Sequence, residues 1–372
     1  MQIQLPSGHY DRAHRQSTPR NPACPHVSAG ELSLGTILDV KTLQRRNFLA
    51  LWAAGLSAGW SYASPTLPRP IFVLNSLDAS VSVIDPVAFK EVQRIAVGKE
   101  PHHLYLTPDE KSLIVANAVG NSLTFIDPLT AQIQRQVHPI SDPYHLRFSP
   151  DMKWFVTASN RINHVDIYRW NPSAAQPFDL VKRIDAPRTP SHLFIDSRST
   201  VVYASLQDSH ELMAIDLASQ TVRWKIKTGT LPADVFLLAD DKTLLVGLTG
   251  DRVVEVYDVS ATTATLIKRI PTGEGAHAFR ALGDGRHVLV SNRVANTISV
   301  IDTQTLSVVS QLPAPGGPDC MEVLADKKTV LVSSRWARKV TWIDMEKRAV
   351  IRQVAVGKSP HGVWTLDHAP RR

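Results

Sequence analysis

The stretch VLVSNRVANTISVIDTQTLSVVSQLPAPGGPDCMEVLADKK, residues Val288–Lys328, decides the fold because its pattern recurs along the chain. Alternating apolar runs are separated by short turns of Gly, Pro, Asn and Asp, the residues that turns favour. The pattern recurs at intervals of about 42 to 47 residues, in copies that begin at Ile71, Leu113, Phe155, Val202, Leu244 and Leu331. Such a period is typical of propeller blades.

Each copy contains four short strands, as in SLIVAN (112–117), SLTFID (122–127), IQRQV (133–137) and HLRFSPD (145–151). Alternation with a period of two means that each strand turns one face towards a core and the other outwards. Four such strands form a blade that must stack on its neighbours to bury both faces. The seven copies therefore predict an all-β fold over residues 64–372, a seven-bladed β-propeller of four-stranded antiparallel blades.

The two ends of the repeat region predict how the ring closes. The first copy begins without the strand that ends in "TPD", and the chain finishes with HGVWTLD, residues 361–367. We therefore expect one C-terminal strand, residues 361–366, to join three N-terminal strands in a single blade. Closure of this kind removes the open edge of the sheet.

An aspartate ends the second strand of most copies, namely Asp85, Asp127, Asp216, Asp258, Asp302 and Asp344. A short acidic side chain at such a position bonds to backbone N–H groups of the turn that follows. Because the same residue recurs in six blades, we predict a turn-stabilising role for it.

The segment QRRNFLALWAAGLSAGWSYASP, residues 44–65, resembles an export signal of the twin-arginine type. Arg45 and Arg46 precede an uncharged stretch, and the small residues Ser61 and Ala63 mark a cleavage site. We predict that residues 40–63 direct export to the periplasm and that no integral membrane domain is left after cleavage. Ordinary secretion and an uncleaved anchor remain alternatives. Residues 1–39 show no periodicity and are predicted to be a non-native or disordered upstream extension.

Net charge bears on nucleic-acid binding, and cysteine content bears on disulfide formation. Taking the 6 basic and 3 acidic residues of the segment 1–63 from the chain's 41 and 34 leaves 35 and 31, a net charge of about +4. Nucleic-acid binding predicts a concentrated basic stripe, so nucleic acid is the less favoured partner. Cys24 lies in the leader, which leaves Cys320 without a partner for an internal disulfide.

Three stretches carry a specific resemblance: SNRVANTISVIDTQTLSVV (291–309), GKEPHHLYLTPDEKSLIVAN (98–117) and VAVGKSPHGVWTLD (354–367). They resemble the YVTN-repeat, YncE-like seven-bladed β-propellers, which are exported bacterial and archaeal proteins. The resemblance implies the propeller fold and a ring of binding surface. Related propellers include lactonases, haem d1-binding proteins and the copper enzyme nitrous oxide reductase, so the resemblance does not fix an activity.

Histidines concentrate at the start of the predicted innermost strands. Alignment on a "P-x-x" pattern places seven residues in one column: His103, His145, His192, Asp234, His277, Cys320 and Gly362. The preceding column contains His102, Tyr144, Ser191, Ala233, Ala276, Asp319 and His361. Imidazole, carboxylate and thiolate bind transition metals, so the first column predicts a divalent metal or copper as the cofactor. The alternative is that each imidazole bonds to the backbone of the neighbouring blade.

Loops between the second and third strands are expected at the same rim. They would contribute the predicted ligand-binding residues Arg161, Arg293, Arg335, Arg338, Asn75 and Asn117, beside His102 and His361. Guanidinium groups in a concave site hold carboxylate or phosphate by paired hydrogen bonds, which predicts a small anionic ligand. The alternative is that these arginines pair with nearby acids.

The sequence thus favours a binding module for a small anionic ligand or a protein partner. The first alternative is a metal-dependent enzyme that uses the histidine ring, either a lactonase-like hydrolase or a copper-type redox protein. Nucleic-acid binding is the third. The chain contains no G-x-S-x-G or H-E-x-x-H motif and no phosphate-binding glycine loop, so no enzyme class is indicated by motif.

Overall fold

The computed structural model describes residues 69–371, which form seven four-stranded antiparallel sheets. The predicted export signal and upstream extension lie outside these residues. The strands are β1 (Ile71–Asn75), β2 (Ser80–Asp85), β3 (Lys90–Ala96), β4 (Pro101–Leu106), β5 (Leu113–Asn117), β6 (Ser122–Ile126), β7 (Ile133–Val137), β8 (His145–Phe148), β9 (Trp154–Ser159), β10 (His164–Trp170), β11 (Phe178–Asp185), β12 (Pro190–Ile195), β13 (Val201–Leu206), β14 (Glu211–Asp216), β15 (Thr221–Lys227), β16 (Pro232–Leu237), β17 (Thr243–Leu248), β18 (Val253–Asp258), β19 (Thr265–Pro271), β20 (Ala276–Ala281), β21 (His287–Asn292), β22 (Thr297–Asp302), β23 (Ser307–Pro313), β24 (Pro318–Val323), β25 (Thr329–Ser334), β26 (Lys339–Asp344), β27 (Ala349–Ala355) and β28 (Pro360–Thr365).

The seven sheets are the blades of a closed propeller, as the repeat predicts. Six blades take four consecutive strands, for example β4-β5-β6-β7. The remaining blade has the order β28-β1-β2-β3, with Phe72 opposite Trp364 and Val73 opposite Val363. The predicted closure by the C-terminal strand is confirmed, because that strand supplies the innermost position of the first blade.

Burial changes from the centre of a blade to its edge. Every residue of β1 is buried, whereas β3, at the outer edge, is mostly exposed or half-buried. Phe72 and Leu74 of one blade pack in the same cluster as Leu113 and Val115 of the next. Burial of one such side chain contributes about 1.5–3 kcal/mol, so the stacking of neighbouring blades is the main source of stability.

The repeated aspartates stabilise turns, as predicted. Asp85 Oδ1 accepts hydrogen bonds from the N–H groups of Val87 at 2.8 Å and Ala88 at 2.9 Å. Asp127 repeats the arrangement in the next blade with Leu129 and Thr130. These bonds favour the ionised carboxylate and lower the pKa of Asp85.

A β-bulge near the start of the innermost strands shapes the centre of the ring. In β4, Pro101 pairs with Asn117, but the next pair is His103 with Ala116, so His102 is an extra residue. The equivalent shift occurs in β12, β16, β20 and β24. A bulge re-aims side chains, and here two consecutive residues of a strand turn towards the channel.

In the described part of the chain no helix is long and apolar enough to cross a membrane. The helical segment there is a short 3-10 turn, Ser76–Asp78.

Candidate functional site

The bulges create two layers of side chains at one end of the central channel. The first layer contains His102, Tyr144, Ser191, Ala233, His277, Asp319 and His361. The second layer contains His103, His145, His192, Asp234, Ala278, Cys320 and Gly362.

His277 belongs to the first layer, which corrects its predicted place beside His103. Ala276 pairs with Asn292 as Pro101 pairs with Asn117, so Ala276 takes the position of the proline. The glycine that packs on the loop asparagine reveals the register. A Cβ on Gly98 would lie 2.6 Å from the Asn117 side chain, and one on Gly273 would lie 2.8 Å from that of Asn292. Alignment on this glycine in the sequence would have placed His277 correctly.

Three second-layer histidines converge. The ring centroids of His103 and His145 are 4.5 Å apart, and each ring lies 4.8 Å from that of His192. One nitrogen from each residue lies within 4.8 Å of the others. This spacing is short enough for one metal ion to contact all three after small side-chain adjustments. We call these three residues the histidine trio.

Neighbouring groups hold the Nδ1 atoms of the trio. His103 Nδ1–H donates to the carbonyl oxygen of Tyr144 at 2.7 Å, which leaves Nε2 of the neutral ring unprotonated. His192 Nδ1 lies 2.9 Å from Ser191 Oγ. The Nε2 atoms of both rings are buried without a hydrogen-bond partner in the described structure. Metal-binding histidines are commonly oriented in this way through their second nitrogen.

The trio is uncharged near neutral pH. Burial lowers the pKa of His103 to about 3 and holds the pKa values of His145 and His192 well below the ordinary range. Neutral imidazole is the form that ligates metals.

Asp234 and Cys320 lie in the same layer but outside this cluster of nitrogens. The Asp234 carboxylate accepts from the N–H groups of Val235 and Phe279 at 2.9 and 2.8 Å, and burial raises its pKa to about 6. Cys320 Sγ lies 3.5 Å from His361 Nδ1, and burial raises the pKa of the thiol well above its usual range. Cys320 is therefore a neutral thiol in this environment.

Asp319 is the centre of a charged network in the first layer. Its oxygens lie 2.9 Å from Arg293 Nη2, 3.1 Å from Arg335 Nη1 and 2.9 Å from His277 Nε2. Burial opposes ionisation of this carboxyl, but Arg293 and the other neighbours hold its pKa well below the usual range. Asp319 is not among the site residues predicted from the sequence, although it is the one acidic residue of its column.

The two remaining predicted ligand residues of the first layer are histidines. His102 stacks between Tyr144 and His361, with centroid distances of 3.9 and 3.7 Å. His361 Nε2 also lies 3.5 Å from Asp319. Both rings are buried, so they fill the end of the channel.

Arg161 and Arg338 lie away from the layers. Arg161 pairs with Asp142 at 2.5 Å and with Glu100 at 3.3 Å. Arg338 is exposed, and its carbonyl accepts from the Val356 N–H.

Asn75 and Asn117 are enclosed within their own blades. The Asn75 amide donates to Ser80 and Ser82, and that of Asn117 donates to Ser122 and Thr124. The structure thus brings Arg293 and Arg335 to the histidines but not Arg161, Arg338 or these two asparagines.

A cavity of about 700 Å³ occupies the channel on the far side of the second layer. The histidine trio closes one end, and the wall reaches Pro150 and Met152, whose side chains are exposed at the other. The first-layer residues do not line it. The histidines and the arginine loops do lie at one end of the ring, but the space for a ligand opens from the opposite end.

The comparisons with known proteins agree on the fold. A family model described as YNCE-like beta-propeller matches residues 48–371. No curated protein sequence matches this chain.

Solved structures share the architecture at low sequence identity. A functionally unknown protein from Desulfotomaculum acetoxidans is 14% identical with a TM-score of 0.69, and 81% of this chain covers 100% of that chain. The periplasmic gluconolactonase PpgL from Pseudomonas aeruginosa is 18% identical, with a TM-score of 0.68 and coverage of 80% and 98%. The dihydro-heme d1 dehydrogenase NirN is 15% identical, with a TM-score of 0.61 and coverage of 80% and 75%. At these identities the likeness concerns the fold alone.

Proposed function

We propose that this chain, which belongs to the YncE-like β-propeller family, is an exported binding protein that holds one transition-metal ion at the closed end of its central channel. The ligands are His103, His145 and His192. The observation that carries the proposal is the convergence of three neutral imidazoles at the end of a cavity, two of them with buried, unpartnered Nε2 atoms. Buried polar atoms without partners are rare in folded proteins, and a metal ion would satisfy them.

Three imidazoles suit zinc or copper. Zinc bound by three protein ligands keeps a fourth position open for water or another ligand. The open position would face the cavity, because the histidine trio lines it.

His145 must give up one weak contact to act as a ligand. Its Nδ1 accepts from the Leu193 N–H at 3.3 Å, which places the proton of the neutral ring on Nε2. Binding a metal through Nε2 moves that proton to Nδ1 and breaks this hydrogen bond. The loss costs about 1–3 kcal/mol, whereas structural zinc sites gain about 10–16 kcal/mol, so the exchange favours the metal.

Two other groups of potential ligands are less suitable for a cation. His277, Asp319 and His361 have atoms close together, but Arg293 and Arg335 already occupy the Asp319 carboxylate and would repel a metal ion. In the group of His102, His103 and His361, only His103 lines the cavity. A metal ion held by all three would therefore lie outside it.

A lactonase-like hydrolase is the second candidate function. The observation that favours it is the cavity beside the proposed open position, because a metal-bound water is a nucleophile near neutral pH. Hydrolysis of a simple sugar lactone by the metal-loaded protein, lost on chelation, would support this candidate. Metal binding without such turnover would leave a binding protein.

Cobalt titration tests the metal proposal. The mature protein, treated with a chelator and dialysed, should bind one Co²⁺ with the visible absorption of a low-symmetry site. His103→Gln and His192→Gln should each weaken binding at least about tenfold, because each removes one of three ligands. His287→Gln is the matched control, since this partly exposed histidine pairs with Asp284 at the rim of a blade. Equal binding by all variants, or no binding by the wild type, would contradict the proposal.

A further inference from the structure

Arg147 differs from the other arginines of the channel in what surrounds it. Arg147 lies in the cavity wall between the histidine trio and the exposed mouth, on strand β8. Its Nε donates to the Leu193 carbonyl at 3.1 Å. Within residues 69–371 no carboxylate forms an ion pair with it. A guanidinium group has five N–H donors, so most of those of Arg147 are available to a ligand.

The cavity wall contains two other arginines, Arg280 and Arg371, and both form ion pairs with Glu322. Arg280 pairs with Glu322 at 2.5 Å and donates to the carbonyls of Ala281, Ala369 and Pro370 at 2.6 to 3.0 Å. Its donors are thus committed to holding the C-terminal segment. At the other end of the channel, Arg293 and Arg335 both pair with the Asp319 carboxylate.

The walls around Arg147 are aromatic. Its guanidinium lies 5.5 Å from the ring centroid of Tyr105 and 5.2 Å from that of Phe194. Phe236 and Trp364 continue the lining around the channel. A cation between flat apolar faces suits a ligand that combines an anionic group with a planar apolar body.

We propose that the cavity binds a small organic anion, with its carboxylate, sulfonate or phosphate on Arg147 and its planar part between the aromatic side chains. The inference deepens the proposed binding function and rests on it, because the metal site forms the closed end of the same cavity. The volume of about 700 Å³ is in the range of small-molecule sites. The anion site therefore lies inside the channel rather than at the arginine rim that the sequence predicts.

A pair of fluorescent probes tests this proposal on chelator-treated full-length mature protein. 8-Anilinonaphthalene-1-sulfonate carries the anionic group, and N-phenyl-1-naphthylamine has nearly the same rings without it. The wild type should bind the sulfonate several-fold more tightly than the neutral amine. Equal affinity for the two probes would overturn the proposal without any variant.

Substitutions locate the anion. Arg147→Met should weaken sulfonate binding about tenfold and change amine binding little, because it removes the charge but keeps most of the apolar stem. Arg147→Lys should retain most of the affinity, and Arg161→Met is the matched control at the distant rim. Unchanged sulfonate binding by a folded Arg147→Met protein would also overturn the proposal.

The probe and cobalt experiments fail independently. Loss of cobalt binding with intact, Arg147-dependent sulfonate binding would reject the metal site only. Cobalt binding without a preference for the anionic probe would reject the anion site only.

Discussion

At the scale of single residues, Asp319 is the carboxylate that the charged groups at the closed end of the channel share. It is fully buried, and it neutralises one of the two positive charges brought by Arg293 and Arg335. It also lies against His277 and His361. These two first-layer rings pack on the histidine trio on the side away from the cavity. A charge in this position stabilises the fold only while its partners are present.

Asp319→Asn should therefore destabilise the protein without changing its shape. The substitution leaves the two guanidinium groups without a carboxylate, and we expect a loss of about 3 kcal/mol in the free energy of unfolding, near the lower end for buried pairs because both arginines are partly exposed. Urea unfolding measures this. Asp284→Asn, which removes a rim partner of His287, should cost less than about 1 kcal/mol. Equal effects of the two variants would show that the Asp319 network is not structural.

Some site residues are predictable from the sequence and others are not. A proline two residues earlier correctly predicts one layer for His103, His145 and His192. In the blade of His277 the equivalent position is Ala276, so the predicted place of His277 is wrong by one residue. The sequence does not reveal the role of Asp319, because its partners Arg293 and Arg335 come from loops of two blades that only the closed ring brings together. Arg147 lies in no motif that predicts ligand binding, so the sequence does not indicate its place in the cavity.

At the scale of elements, the bulge in the innermost strands orients side chains towards the channel, whereas the aspartates stabilise the turns between strands. The bulge lets His102 and His103 both face the channel, which the strict alternation of a regular strand forbids. Its position depends on the pairing register with the next strand, so strand patterns in the sequence do not reveal it. The turns were predictable, because each depends on one side chain and its own backbone.

The turn carboxylates should make stability depend on pH. Hydrogen bonds from the Ser219 N–H, together with Arg223, lower the pKa of Asp216 to about 2 in the folded chain. The ordinary value is about 3.9, so the stabilisation is complete above about pH 4 and is lost as the pH falls towards 2. The difference in urea midpoint between the wild type and Asp216→Ala should thus be smaller at pH 3 than at pH 6. A difference that stays constant would mean that the ionised carboxylate contributes nothing.

At the scale of the whole molecule, closure of the ring is what makes one channel out of seven blades. The C-terminal strand β28 completes the first blade, and Trp364 packs against Phe72 with a centroid distance of 6.0 Å. This part of the fold was predictable, because the repeat period and the missing strand of the first copy together specify the closure. The end from which the cavity opens was not predictable, because it depends on the way in which the large first-layer side chains fill the channel.

Trp364→Ala should weaken the closure. Trp364 is 1% exposed and its removal leaves a cavity in the blade that joins the two ends, so we expect a loss of about 3–5 kcal/mol in the free energy of unfolding. Trp336→Ala, at a 57% exposed position, should change it by less than about 0.5 kcal/mol. Thermal or urea unfolding of the two variants provides the comparison, and similar midpoints would argue against closure by β28 as a main source of stability.

The most direct test of the metal site at the histidine trio is the anomalous scattering of crystals grown from protein loaded with one equivalent of zinc. We expect a single strong peak at the closed end of the cavity, about 2.0–2.1 Å from a nitrogen of each of His103, His145 and His192. A peak beside Asp319, or no ordered peak within the channel, would contradict it.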